Sequence, residues 1–334
     1  TPMATLVGIS LAAKRGILFK EASFLETMAK SDILALDKTG TITEGKPSVV
    51  KADFFEDFDP SLLYSLVSTS NHPISKGIKV YLEDKHDILE ALTLEEISSI
   101  EAKGVKASYQ DQQLLGGNEE LLRSSNIAAD TDSENALFFF TVNNTLVARF
   151  ELTDTIREGA AQAIQNIKNL GVKVVMLTGD HEQSAQKVAA QVGVDEVYAK
   201  LLPQEKSGMI DKFHQEGHVV VMVGDGINDA IALASSDISI AMGNGADVAI
   251  GVSDIVLLDE KPESIYESYK LSRRTFGAVK ENLGFSLLYN VVAVPLAMMG
   301  FVNPLVAALS MSLSSLVVVG NSMRIKRLKF KDKK

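Results

Sequence analysis

The chain has 334 residues and a formal net charge of −10, with 46% hydrophobic and 23% charged residues. That length suggests two or three domains, and the composition excludes a disordered tail, a collagen and a simple coiled coil. There is no Cys, which excludes a disulfide framework, a Cys-zinc site, an iron–sulfur cluster and a thiol nucleophile, and the acidity argues against a nucleic-acid partner.

The N-terminal segment from Met3 to Ala13 is apolar and ends at Lys14-Arg15. It is too short to cross a bilayer. Its positive charge follows the apolar stretch, whereas a signal peptide carries it in front. Residues 1–20 read as the end of a membrane helix whose beginning is missing, plus a cytoplasmic extension. The acidic middle reads as α/β. Residues 33–36, 172–177 and 219–223 are short apolar runs, each followed by a polar or glycine turn, as buried parallel strands are. Helical patterns at 182–192 and 229–234 follow the last two. Strand–turn–helix units of this kind predict a doubly wound sheet with its site at the strand C-termini.

Residues 283–323 are free of charge. A hydrocarbon core of about 30 Å takes about 20 helical residues, so this run suits two spans. The predicted spans are 283–301 and 305–322, joined by Val302-Asn303-Pro304. Lys270, Arg273, Arg274 and Lys280 precede them, and a tail at 324–334 with seven basic residues and one acid follows. Both ends are therefore predicted on the cytoplasmic side. The competing reading is a helical hairpin buried in a soluble core, against which stands the lack of a polar face.

The turns carry the chemistry. Asp37-Lys38-Thr39-Gly40-Thr41 follows the first strand, Thr178-Gly179-Asp180 the second, and Gly224-Asp225-Gly226-Ile227-Asn228-Asp229 the third, with Lys206 between the last two. Asp37 is the candidate nucleophile, since a carboxylate can accept a phosphoryl group. Asp225 with Asp37 suits Mg²⁺, a hard ion that takes oxygen ligands, and Asp229 supports them. Thr178 offers a hydroxyl and a backbone N–H to the transferred oxygens, and Lys206 a fixed positive charge.

These motifs resemble the signature set of the P-type ATPases, on a haloacid-dehalogenase-like fold. The resemblance implies that Asp37 is phosphorylated by ATP, that Thr39 helps to hold Mg²⁺ and phosphate, and that Lys38, Gly179, Asp180 and Asn228 belong to the catalytic set. Glu151 to Arg157 fits the segment where the chain re-enters the phosphorylation domain. Soluble phosphatases of this fold usually place Asp two residues after the nucleophile as a general acid. Thr39 cannot transfer that proton at neutral pH, so the acyl phosphate should persist.

The stretch between Thr41 and Asp154 is long enough for an inserted domain. The organisation expected is a phosphorylation domain in two parts, 21–48 and 147–264. An α+β nucleotide-binding domain, 49–146, is inserted between them. The last two transmembrane helices, 265–323, and a basic tail, 324–334, follow. Ser70-Asn71-His72-Pro73-Ile74 resembles the His-Pro motif of the heavy-metal subgroup. This implies that His72 contacts the adenine end of ATP, with Gly104, Gly117 and Asn118 as partners. A surface turn is the plainer reading of a lone His-Pro. Val67 stands where the subgroup usually has Glu, and Ala102 where it has Gly, which predicts weaker ATP binding.

In the apolar region Tyr289-Asn290 and Met311-x-x-Ser314-Ser315 resemble the copper(I) branch, in the subset linked to cytochrome oxidase assembly. The resemblance implies Tyr289, Asn290, Met311 and Ser315 as Cu(I) ligands. Thioether sulfur is a soft donor suited to Cu(I), and Ag(I) shares that preference. The alternative is that Met311 packs and the serines bond carbonyls one turn back. The branch takes its thiolates from a Cys-Pro-Cys just upstream of a Thr-Pro, and this chain opens on Thr1-Pro2. The expected whole is an integral protein of the cell membrane with cytoplasmic soluble domains. It is surrounded by membrane lipid and supplied by a copper chaperone. The actuator domain and earlier spans lie in a missing N-terminal half. The alternative function is a membrane-tethered phosphatase of the same fold.

Overall fold

The computed structural model describes residues 2–100, 103–133, 135–224, 229–243, 247–300 and 303–330. The chain forms two compact units. One comprises Thr1–Asp37, Glu158–Gly179 and Val192–Lys334, the other Lys38–Arg157 and Asp180–Gln191.

The first unit opens with α1 (Pro2–Lys14), β1 (Ile17–Phe19), α2 (Ser23–Lys30) and β2 (Ile33–Asp37). Every residue of β2 is buried, as its unbroken apolar run demands of a central strand. The second unit then supplies β3 (Ser48–Phe54), α3 (Pro60–Ser68), α4 (Pro73–Lys85), β4 (Glu95–Ile100), β5 (Gly104–Tyr109) and β6 (Gln112–Gly117). It continues with α5 (Glu119–Ser124), β7 (Ala136–Val142) and β8 (Thr145–Thr153). The chain goes on through α6 (Ala160–Lys168), β9 (Lys173–Leu177), α7 (Glu182–Val192), β10 (Glu196–Tyr198), α8 (Pro203–Gln215) and β11 (Val220–Gly224). It ends with α9 (Ala230–Ser235), β12 (Ile238–Met242), α10 (Asp247–Val252), β13 (Ile255–Leu257), α11 (Pro262–Met298) and α12 (Pro304–Met323).

In the first unit seven strands make one sheet in the order β1-β13-β12-β11-β2-β9-β10. Only β1 runs antiparallel to its neighbour. The three strands expected from sequence, β2, β9 and β11, are adjacent at its centre. Ile33, Ala35, Val175, Leu177, Val220 and Met222 pack with Ile210 and Phe213 of α8 in one buried cluster. The second unit is a six-stranded antiparallel sheet, β3-β8-β7-β6-β5-β4. Its core joins Leu62, Leu63 and Leu66 of α3 and Ile78 and Leu82 of α4 to Phe138, Phe140 and Phe150 of the sheet. Proline begins both helices at a position where the missing N–H costs nothing, and Asp59 caps α3 by accepting from the Ser61 N–H at 2.9 Å.

The apolar C-terminal region departs from expectation. The helical part of 283–301 does not start a helix of its own but is the far end of α11, one continuous helix of 37 residues. Its nearer half carries Lys270, Arg273, Arg274 and Lys280, and buries Tyr269, Leu271 and Ala278 in the first unit. Tyr289, Asn290 and Pro295 interrupt the apolar half. Among the described residues one helix, Pro304–Arg327, is long and apolar enough to cross a membrane. The apolar half of α11 runs beside it. Helix α1 lies against the polar half of α11. A Cβ on Gly8 would come within 2.8 Å of Thr275 Cγ2, and Arg15 Nε donates to Glu267 Oε2 at 2.8 Å. The short apolar N-terminus is therefore packed on protein, with Ala4, Val7 and Ala12 buried.

Candidate active site

Register places the candidate residues of the first unit together. Asp37 pairs with Leu177 across β2–β9, and Val223 with Leu36 across β11–β2, so Asp37, Thr178 and Gly224 leave adjacent strands at their C-terminal ends. Lys206 enters from the first turn of α8, which Glu205 caps by accepting from the Leu202 N–H at 2.8 Å. The Lys206 ammonium donates to Asp37 Oδ1 at 2.5 Å and to Asp229 Oδ1 at 2.7 Å. All three side chains are sealed from water, at 5% exposure for Asp37 and Lys206 and 2% for Asp229. Burial works against the ammonium, but the charges of Asp37 and Asp229 outweigh it and hold the Lys206 pKa above the ordinary lysine value. Gly224 is required for this packing: a Cβ there would lie 2.9 Å from Asp229 Oδ2.

Thr178 is buried at the end of β9. Its N–H donates to the Tyr198 carbonyl at 2.9 Å, and its carbonyl accepts from the Leu201 N–H at 3.0 Å. The expected backbone contribution of Thr178 to a phosphoryl group is therefore corrected: that amide is committed to β10, and the hydroxyl is what Thr178 offers. Gly179 follows as an exposed turn residue. Asp225 and Asn228 lie outside the described residues.

In the second unit, Lys38 pairs with Asp180 and donates to Ser184 Oγ at 3.4 Å. Thr39 is extended and half-buried, Gly40 has φ +74°, a left-handed conformation suited to glycine, and Thr41 is buried. Among the described residues the Thr41 hydroxyl has no hydrogen-bond partner. Two residues of the re-entry segment 151–157, Asp154 and Arg157, to which no site role was given, hold this loop. Asp154 Oδ2 accepts from Thr43 Oγ1 at 2.5 Å and from the Gly45 N–H at 3.1 Å, and Oδ1 from the Lys46 N–H at 3.1 Å. Arg157 Nη2 donates to the Gly40 carbonyl at 2.9 Å.

The second unit also contains an open cleft of about 200 Å³ lined by His72, Lys103, Gly104, Gly117, Asn118 and Phe138, among others. The four expected nucleotide residues thus come together. His72 is the N-cap of α4, and its Nδ1 accepts from the Ile74 N–H at 3.3 Å. In the neutral ring this leaves the proton on Nε2, as a donor. The ring is at the surface of the cleft, yet desolvation lowers its pKa below the ordinary histidine value, with the Asp180 charge acting in the opposite sense. Asn118 caps α5, accepting from the Glu120 and Leu121 N–H groups at 3.1 and 3.2 Å. Gly104 faces Gly117 across β5–β6, and a Cβ on Gly117 would meet Leu121 Cδ2 at 2.7 Å and the Lys103 carbonyl. Val67 is a buried wall of the cleft, so this wall is apolar where Glu was expected to be polar. Ala102 lies outside the described residues.

A family model described as haloacid dehalogenase-like hydrolase matches residues 32–237. The chain belongs to this family. Over nearly its full length this haloacid dehalogenase-like chain is similar to two proteins named copper-exporting P-type ATPase. The one from Staphylococcus epidermidis is 38% identical over 340 residues, 98% of this chain. The one from Staphylococcus aureus strain Newman is 36% identical over 346 residues, all of this chain. The chain spans 42% of the length of each. Among solved structures it resembles a zinc-transporting PIB-type ATPase in its E2.Pi state, with a TM-score of 0.73 and 28% identity, covering 97% of this chain and 54% of that one. It also resembles the catalytic domain of the CPx-ATPase CopB-B, studied for its conformational changes upon nucleotide binding. There the TM-score is 0.67 at 28% identity, covering 78% of this chain and 98% of that domain.

For the haloacid dehalogenase-like site, the donor chemistry fits a hard divalent cation. Asp37, Asp229 and Lys206 together carry one net negative charge, and carboxylate oxygen is what Mg²⁺ takes. Among the described residues no group of three or more His, Asp or Glu is gathered as a metal centre. Of the four residues expected at a Cu(I) site, two make hydrogen bonds of their own and two are exposed. Tyr289 Oη shares a hydrogen bond of 3.1 Å with Ser310 Oγ. Ser315 Oγ donates to the Met311 carbonyl one turn back, at 3.1 Å. Met311 is 63% exposed, and Asn290 is exposed as well.

Replacing Lys206 by Met should leave two carboxylates buried without their shared cation. We expect a loss of about 3–5 kcal/mol in the denaturant stability of the first unit at pH 7. Because the Lys206 pKa is raised in the fold, its contribution is fully present below pH 10.5 and is lost only as pH rises beyond that. His72 should titrate by NMR with a midpoint below 6.5. The folded chain then binds fewer protons than the unfolded chain just below pH 6.5, and His72 withdraws stability as pH falls through that window.

Proposed function

We propose that this chain is the ATP-binding and phosphorylation portion of an ATP-driven heavy-metal pump that works through an aspartyl-phosphate intermediate, with Cu(I) as cargo. The observation that carries the reading is the buried Asp37–Lys206–Asp229 cluster at the C-terminal ends of parallel strands. It orients one carboxylate and supplies fixed positive charge beside it. The names of the relatives support a heavy-metal cargo, and their copper-exporting members support Cu(I).

Asp37 acts as the nucleophile toward the γ-phosphorus of ATP: an O–P bond forms to its carboxylate as the bond to ADP breaks. Lys206 stabilises negative charge on the transferred oxygens, and the Thr178 hydroxyl donates to them. Mg²⁺, when bound by Asp37, Thr39, Asp225 and Asp229, neutralises phosphate charge. In the nucleotide-binding domain, assigned to 49–146, His72 uses its Nε2–H to orient adenine. Gly104 and Gly117 allow close approach of the backbone, and Asn118 fixes the turn beside them. Lys38, Gly179, Asp180 and Asn228 hold the loops of the phosphorylation domain, assigned to 21–48 and 147–264. The apolar part of α11 together with α12 sits in the cell membrane. In the whole protein, earlier spans would complete a soft-metal site that includes Tyr289, Asn290, Met311 and Ser315. An actuator domain would drive dephosphorylation, and a chaperone would deliver the copper.

Incubation with γ-labelled ATP and Mg²⁺ should give an acid-stable, hydroxylamine-labile label on this chain, and Asp37→Asn should abolish it. Label that survives in Asp37→Asn would overturn the assignment of the nucleophile, and rapid release of phosphate with no trapped intermediate would favour the phosphatase. Thr39→Asp restores a general acid two residues after the nucleophile. It should shorten the lifetime of the label by about 10²-fold or more, read by chase with unlabelled ATP.

A further inference from the structure

The end of α12 changes character within one turn. Leu316, Val319 and Met323 are exposed and apolar. Directly after them Arg324, Lys326 and Arg327 fall in a single 3-10 turn, Arg324–Arg327, and Lys329 follows. Ile325 in that turn is fully buried, so the turn is anchored to the protein, while Lys326, Arg327 and Lys329 face solvent. Beyond it the chain folds back. Lys270 Nζ donates to the Lys329 carbonyl at 2.7 Å, and the Phe330 ring lies 4.4 Å from the Arg15 guanidinium and 5.3 Å from the Lys270 ammonium. The neighbouring turn of α11 adds Lys280, whose ammonium sits 4.4 Å over the Phe276 ring. Glu281 lies beside this cluster and is engaged: Arg274 approaches it at 3.8 Å, Arg324 at 4.0 Å, and Asn321 Nδ2 donates to it at 2.9 Å. Among the described residues Lys280, Lys326, Arg327 and Lys329 have no carboxylate within ion-pair distance.

We infer that this anchored basic turn, with Lys280, binds the headgroup phosphates of anionic phospholipids. The inference rests on reading α12 as a membrane span. An apolar strip that ends in exposed cations matches a molecule with an acyl chain and a phosphate at one end, whereas free phosphate matches only the cations. Each lysine or arginine held near an anionic bilayer surface favours the contact about fivefold, and the fixed turn presents its cations without first having to order them.

The test uses the whole chain. Resistance to alkaline carbonate extraction from phosphatidylcholine vesicles reports the span itself, and complete extraction would overturn both the span and the headgroup site. The inserted chain is then solubilised and relipidated with equal amounts of phosphatidylglycerol and phosphatidylcholine, and the retained lipids are counted by native mass spectrometry. Wild type should retain phosphatidylglycerol preferentially. The exposed-face variant Lys326→Gln/Arg327→Gln/Lys329→Gln should lose that preference by about fivefold per charge removed, while still resisting carbonate. Equal retention of the two lipids by wild type, or unchanged preference in the variant, would overturn the site. Displacement of phosphatidylglycerol by millimolar inorganic phosphate would show that the cations select the anion alone and would overturn the lipid assignment.

Discussion

One buried ammonium organises the candidate active site. Two carboxylates at the ends of neighbouring strands could not both stay ionised and sealed from water without a cation between them, because desolvation of each ion costs several kcal/mol. Lys206 meets that need from the first turn of α8, a position set by Pro203 and by the Glu205 cap. Its bonds to Asp37 and Asp229 tie β2, α8 and the start of α9 together. Gly224 leaves the space into which Asp229 folds. A carboxylate held this way is oriented in advance, and no reorganisation is needed when charge develops nearby.

The cleft of the second unit rests on a different economy, in which residues that line it are also structural ones. His72 caps α4 through Nδ1, Asn118 caps α5 through Oδ1, and the Gly104–Gly117 contact lets two strands close up. The cap does more than stabilise a helix. By occupying Nδ1 it selects the tautomer that donates from Nε2, so helix geometry decides what the ring offers the cleft.

Much of this was legible in the residues because it follows from local rules. The buried strands announce themselves as unbroken apolar runs, and the turns that follow them contain the carboxylates. The convergence of Asp37, Thr178 and Lys206 needed only the rule that parallel strands present their C-terminal ends together. Three things were not legible. That the Thr178 amide belongs to Tyr198 depends on the position of β10, a three-residue strand with no pattern of its own. Asp154 and Arg157 act on backbone groups more than a hundred positions away, and no spacing encodes that. The apolar run at 283 looked like the start of a helix because charge stops there, but a change in polarity does not break hydrogen bonding. Asn282 and Gly284 could each end a helix, but no proline follows them before Pro295 and the helix runs through both.

That continuity has a mechanical consequence. A helix of this length is about 55 Å from end to end. Its base is clamped: Tyr269 is buried beside Ser31, Arg273 bonds the Leu170 carbonyl, and Arg15 grips Glu267. Between that clamp and the apolar tip there is no loop to absorb a displacement. Tilting the base by a few degrees therefore swings the tip by several ångströms, and the rod acts as a lever whose fulcrum lies inside the protein. Its compliance is concentrated where the backbone ladder is interrupted, at Pro295, close to the end that moves most.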